Sequence, residues 1–214
     1  MQAQCIPLLT QLLNSNDPKL KRQVCSCLSQ IAKHSVELAE TVVDGQIFPR
    51  ALTVLHDSDP FVRKYGATLL CEIAKHTPEL AQLIVNSGGL PALIDYTAQA
   101  EGSAKLPGIM SIGYIAAFSE TLAAAVVLAK GIPPLSAALD ESEAHLRAAA
   151  AWSLGQVGRH SAEHAKLVAE EGALLKLLQT MMAAGEDEVG QDLKLKVFIF
   201  VFAELSRMDQ GNLL

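Results

Sequence analysis

"IAKHTPELAQLIV", residues 73–85, decides the fold. Taken alone it looks like a site: His76 and Glu79 stand three apart, one helical turn, a spacing at which an imidazole and a carboxylate can share a metal or a proton. The rest of the chain gives the stretch another meaning. "IAKHSVELAETVV" starts at Ile31, "IAAFSETLAAAVV" at Ile115 and "VGRHSAEHAKLVA" at Val157, so the pattern returns every 42 residues. A fixed period of about 20–50 residues marks a stacked array in which each unit buries its apolar face against its neighbours.

Within each unit apolar residues recur three and four apart, which predicts helices rather than strands. Three helices fit, one short and two longer. The first follows Ser35, Thr77, Ser119 or Ser161, whose hydroxyls suit an N-cap, and Pro78 sits where a first helical residue tolerates proline. Glu37, Glu79 and Glu163 fall in the first turn, where the helix dipole favours acid. A short break, with Gly88 and Gly172 as turn residues, leads to the second helix. Asp17-Pro18 and Asp59-Pro60 are cap-plus-first-turn pairs that open the third.

Three helices in about 42 residues match the armadillo repeat rather than the 34-residue two-helix repeats. The expected fold is all-α, an armadillo-repeat right-handed superhelical solenoid forming a single domain over 1–214. A partial repeat covers 1–33, repeats cover 34–75, 76–117 and 118–159, and a partial or divergent terminal repeat covers 160–214. Neither end reads as the polar cap that closes a solenoid, so the chain is expected to be a fragment.

Half of the residues are hydrophobic, enough for a large core, and the formal net charge is −6, opposite in sign to the footprint of a general nucleic-acid binder. Cys5, Cys25, Cys27 and Cys71 form no C-x-x-C pair and no zinc-type spacing, which reads as reduced thiols in an intracellular protein. The longest apolar runs, such as "VFIFVFA" from Val197, fall short of the roughly 18 residues that signal a membrane span. No catalytic motif stands out: "LGQVG", residues 154–158, ends a helix and follows no strand. Neither an enzyme nor a cofactor is expected.

The histidine column reads His34, His76, Phe118, His160. Its phenylalanine argues for packing or hydrogen bonding at the end of a third helix over metal ligation. A basic column, Lys21, Arg63, Lys105 and Arg147, lies four residues after an acidic one, Asp17, Asp59, Glu101 and Glu143, the favourable order for helix ion pairs. It is read as structure before binding.

The binding surface is expected on the inner face of the third helices, which lines the concave groove of an armadillo solenoid. There one column reads Gln30, Glu72, Tyr114 and Gln156, and another, one turn earlier, reads Ser26, Thr68, Met110 and Trp152. Polar, aromatic and soft groups of this kind suit a peptide or protein segment, and Gln30, Thr68, Glu72, Met110, Tyr114, Trp152 and Gln156 are the candidate protein-binding residues. Nuclear-import carriers of this fold resemble one another in a tryptophan and asparagine ladder in those columns. Here Trp152 is alone and neither column holds asparagine, which speaks against a reader of basic import signals. Phe198, Phe200 and Phe202, half of the six phenylalanines, are expected to leave an apolar end that self-associates.

Several stretches, "LSQIAKHSVELAETVV", "EIAKHTPELAQLIVNSGG", "KLPGIMSIGYIAAFSETLAAAVVLAKGIPPLS" and "AAAAWSLGQVGRHSAEHA", resemble the sperm-associated antigen 6 family of armadillo-repeat proteins, over about residues 4–184. "KLPGIM" is the most specific, since Pro107 and Gly108 inside a third helix depart from ordinary armadillo units. The resemblance implies a non-enzymatic structural protein of the central pair apparatus of motile cilia and flagella, needed for axoneme stability and motility. Its place would be the cytoplasm and cytoskeleton, and its partners central-apparatus and microtubule-associated proteins, with no nucleic acid and no membrane. The alternative is a cytosolic or nuclear armadillo adaptor that holds an extended peptide in its groove.

Overall fold

In the computed structural model, which describes residues 5–183, the 42-residue echoes become recurring helix boundaries. Ser35, Thr77, Ser119 and Ser161 each accept a hydrogen bond from the backbone N–H three residues on, at 3.2–3.3 Å. Each hydroxyl satisfies a donor that a helix start leaves free. The Ser35 hydroxyl also hydrogen-bonds the Glu37 carboxyl and holds it below the usual carboxylate range.

The described residues form two compact units, divided after Ala100. The first holds α1 (Cys5–Leu12), α2 (Pro18–His34), α3 (Val36–Asp44), α4 (Ile47–Leu55), α5 (Pro60–Ala74), α6 (Pro78–Asn86) and α7 (Gly89–Gln99). Its core forms chiefly where α2 packs along α5, and Leu28, Leu70 and Ile73 are fully buried. The second holds α8 (Leu106–Phe118), α9 (Glu120–Leu128), α10 (Ile132–Ala137), α11 (Ala144–Gly158), α12 (Ala162–Glu170) and α13 (Ala173–Ala183). Here α8 packs along α11, burying Ile109, Ile112 and Leu154. Among the described residues there is no strand, and no single helix is long and apolar enough to cross a membrane.

The expected proportions of the helices are corrected. Two are short and one long: α3 and α4 have nine residues each, α5 fifteen. The first helix is stopped early by a left-handed residue, and that conformation recurs at the same spacing, at Gln46 (φ 58°), Gly88 (φ 82°), Lys130 (φ 61°) and Gly172 (φ 73°). Glycine enters this region freely, whereas an L side chain costs about 1–2 kcal/mol. Lys130→Gly and Gln46→Gly are therefore expected to raise unfolding free energy by about 0.5–1 kcal/mol each, measured by urea denaturation, while Gly88→Ala lowers it.

Pro107 is also corrected. A 3-10 turn, Gly102–Lys105, precedes α8, so Pro107 occupies the first turn of the α-helix rather than its interior. No intrahelical N–H is needed there, so the proline ring does not interrupt the helix.

The histidines join successive repeats. His76 Nε2 lies 2.6 Å from the Ala32 carbonyl oxygen near the end of α2, and His160 Nε2 lies 2.7 Å from that of Ala116 near the end of α8. Each ring donates to a carbonyl that the end of a helix leaves unpaired. Thr77 caps α6, Pro78 starts it and Glu79 stands in its first turn, so the stretch that looked like a site is a junction.

The basic column is structural, with partners other than those its i,i+4 spacing predicts. Lys21 pairs with Asp57, and Lys105 pairs with Glu141 at 2.5 Å, both 36 residues along the chain. The Arg63 guanidinium donates to the carbonyl oxygens of Asp57 and Ser58, and that of Arg147 to those of Glu141 and Ser142. Asp17 and Asp59 instead accept backbone N–H groups as caps. Burial pushes the Asp57 carboxyl up, but the hydrogen bonds from Lys21 and the Asp59 N–H, with the charges of Lys21 and Arg63, outweigh it and hold the group below the usual range. Burial likewise pushes the Cys25 thiol up to about 12, which leaves it protonated and unreactive.

Candidate functional site

The candidate residues fall on the third helices, Gln30, Thr68 and Glu72 in the first unit and Met110, Tyr114, Trp152 and Gln156 in the second. Gln30 is exposed on α2, and the others are half-buried. Thr68 Oγ1 donates to the Lys64 carbonyl at 2.9 Å, satisfying its hydroxyl within α5. Glu72 pairs with Lys75 three residues on, and Gln156 Oε1 accepts from Arg159 at 2.8 Å, also three residues on. The single carboxylate of the set is thus already neutralised.

Tyr114 on α8 and Trp152 on α11 meet edge to face, with ring centroids 5.1 Å apart and planes at 68°. That geometry sets the positive edge of one ring against the negative face of the other and contributes about 0.5–1.5 kcal/mol beyond burial. The pair is held from below. Trp152 lies against the backbone of Gly113, where an added Cβ would stand 2.4 Å from the ring and 2.4 Å from Ser153 Oγ. Ser153 in turn donates to the Ile109 carbonyl at 2.9 Å and cannot give way without losing that bond. Gly113→Ala is expected to cost about 1–2 kcal/mol net, overpacking exceeding the gain in helix propensity, and to change the near-ultraviolet signal of Trp152. An unchanged melting temperature would contradict this packing.

In the first unit the α5 face that bears Thr68 and Glu72 carries two aromatic residues that sequence reasoning missed. Phe61 is 58% exposed and Tyr65 38% exposed on α5, and the Arg22 guanidinium of α2 lies 5.6 Å from the Phe61 ring centroid. A cation over an aromatic face at that range is attractive. The spacing 61, 65, 68, 72 places both rings on one helix face with Thr68 and Glu72 and was the available signal. Phe198, Phe200 and Phe202 lie outside the described residues.

Comparison with known proteins supports the fold and stops there. A family model described as Armadillo/beta-catenin-like repeat matches residues 1–33. No curated protein matches the chain. Among solved structures, an engineered protein from a structural genomics consortium is 21% identical, with TM-score 0.85 over 97% of this chain and 85% of its own. A computationally designed armadillo repeat protein, described as made for modular peptide recognition, is 19% identical, with TM-score 0.84 over 91% and 81%. A designed armadillo repeat protein in complex with the peptide (KR)4 is 20% identical, with TM-score 0.79 over 94% and 98%. The fold is the armadillo repeat, all-α. An interaction scaffold suits it, since stacked helices place their equivalent positions side by side to make an extended recognition surface.

Proposed function

We propose that the chain is a non-enzymatic protein-interaction scaffold that binds a protein segment through the long-helix surface centred on Tyr114 and Trp152. The observation that carries this reading is the ring pair itself: two aromatic side chains, half-buried, on adjacent helices, pre-positioned by Gly113 and by each other. Rigid aromatic anchors bind with little loss of side-chain entropy and are the groups most enriched at binding hot spots. The candidate residues of this unit, Met110, Tyr114, Trp152 and Gln156, include no charged side chain, so recognition here is apolar and aromatic rather than ionic and affinity should change little with salt.

The place of action within this proposal is the central pair apparatus of motile cilia and flagella, where the scaffold would contribute to axoneme stability and motility. Its support is the resemblance of the quoted stretches, "KLPGIM" above all, to the sperm-associated antigen 6 family. The second reading, a cytosolic or nuclear adaptor, is favoured by the peptide-bound designed protein of the same fold. Affinity purification from ciliated cells separates the two. Central-apparatus and microtubule-associated proteins should co-purify, whereas importins or adhesion tails without axonemal proteins would contradict the ciliary reading. Self-association through Phe198, Phe200 and Phe202 belongs to the same proposal, and a monomeric mass by light scattering at high concentration would overturn it.

A further inference from the structure

On α9 and α12, helices other than those carrying Tyr114 and Trp152, a groove of about 520 Å³ is lined by Glu120, Thr121, Ala124, Val127, Leu128, Glu163, His164 and Leu167. On α9 these positions run 120, 121, 124, 127, 128, and on α12 163, 164, 167, so one face of each helix makes a wall. Glu120 and Glu163 belong to the first turns of their helices, while Leu128 and Leu167 stand in later turns. Over the eight steps from Glu120 to Leu128 a helix rises about 12 Å. The groove therefore has an acidic end and an apolar end, and Leu128 at the apolar end is 83% exposed.

His164 marks this groove as more than a gap between helices. The equivalent positions 42 residues apart are Leu38, Leu80 and Leu122, and in two of them the leucine is buried. Here an imidazole takes the leucine's place, only 8% exposed, and its Nδ1 is shut from water with no hydrogen-bond partner. A buried polar atom without a partner is a cost that leucine would not incur, and such groups call for an explanation in binding or chemistry.

We propose that this groove is a second docking site, which takes an amphipathic helical segment of a partner protein. The segment sets a lysine or arginine toward Glu120 and Glu163 and, about two turns along, an aliphatic side chain against Val127, Leu128 and Leu167. Charge complementarity selects the occupant: the lining holds two carboxylates and neither lysine nor arginine, and two full negative charges outweigh the half-charges of the two helix N-termini beside them. The open, two-walled form suits a helix laid along it, and apolar anchors at helical spacing are the ordinary reading of such grooves. His164 stands beside Glu163 at the acidic end, in the first turn of α12, where a docked segment that shifts its ring gives Nδ1 a partner.

The test uses a synthetic 14-residue helical peptide with lysines in its first turn and leucines along one face, titrated into the whole isotope-labelled chain. Backbone shifts should concentrate at Glu120, Ala124, Leu128, His164 and Leu167. A peptide with glutamate in place of lysine should bind at least tenfold more weakly, and Glu120→Lys with Glu163→Lys should restore that peptide and reject the original. His164→Leu should raise the melting temperature yet weaken the lysine peptide at least threefold, whereas Tyr114→Ala with Trp152→Ala should leave its affinity unchanged. Equal binding of both peptides, shifts centred on Tyr114 and Trp152, or no binding would overturn the proposal. So would shifts at the groove residues on simple dilution, which would assign the groove to a second copy of the chain.

Discussion

Ile73→Ala is expected to lower the unfolding free energy by about 2–5 kcal/mol, the range for removing a fully buried aliphatic side chain together with the cavity it leaves. Ile73 is wholly buried near the end of α5, the helix that packs along α2 and also meets α4 and α6. In a repeat array the stability of a unit and that of its interfaces add, so a cavity at this junction weakens both. Ile31 provides the internal control. It occupies the same repeat position in α2 but is only half-buried, and Ile31→Ala is expected to cost about 1 kcal/mol or less. Urea unfolding of the two variants checks the contrast, and equal losses would show that the column does not differ in packing as described.

The second large effect concerns binding. Tyr114→Ala combined with Trp152→Ala is expected to weaken a partner of the long-helix surface by at least tenfold, about 1.4 kcal/mol or more, since a paired aromatic anchor is lost. Both rings are half-buried, so the accompanying loss of stability should be about 1–3 kcal/mol, leaving a cooperative folded state. Thermal unfolding and titration with a co-purified partner measure the two effects separately. A variant that no longer unfolds cooperatively would assign the rings to the core.

What the sequence disclosed followed local chemistry. The caps at Ser35, Thr77, Ser119 and Ser161 were legible because a hydroxyl before an acidic first turn has one common use. The left-handed turn was legible at Gly88 and Gly172, yet hidden at Gln46 and Lys130, whose residue types give no sign of a positive φ. Bonds between repeats were hidden for another reason. The histidine column showed on the page, but its partner, a carbonyl 44 residues earlier, depends on how one helix end approaches the next. Lys21 and Lys105 were paired with the wrong acids because i,i+4 neighbours are visible in a sequence and partners 36 residues away are not.

The candidate surface was half legible. Trp152 and Tyr114 were placed in neighbouring columns, and the structure brings their rings into contact. Phe61 and Tyr65 were passed over because their columns, which read Lys19, Phe61, Ser103, His145 and Gln23, Tyr65, Pro107, Ala149, do not repeat an aromatic residue. Periodicity finds what every unit shares, whereas binding uses what one unit has and the others lack. His164 shows the same difference, a polar residue in a column of leucines.

The most direct measurement is the position of the tagged protein in a motile ciliated cell, wild type beside the Tyr114→Ala, Trp152→Ala variant. The wild-type protein should lie along the central pair of the axoneme, and the variant, still folded, should be depleted from it. A wild-type protein confined to the nucleus or to cell junctions, with axonemes empty of it, would contradict the account.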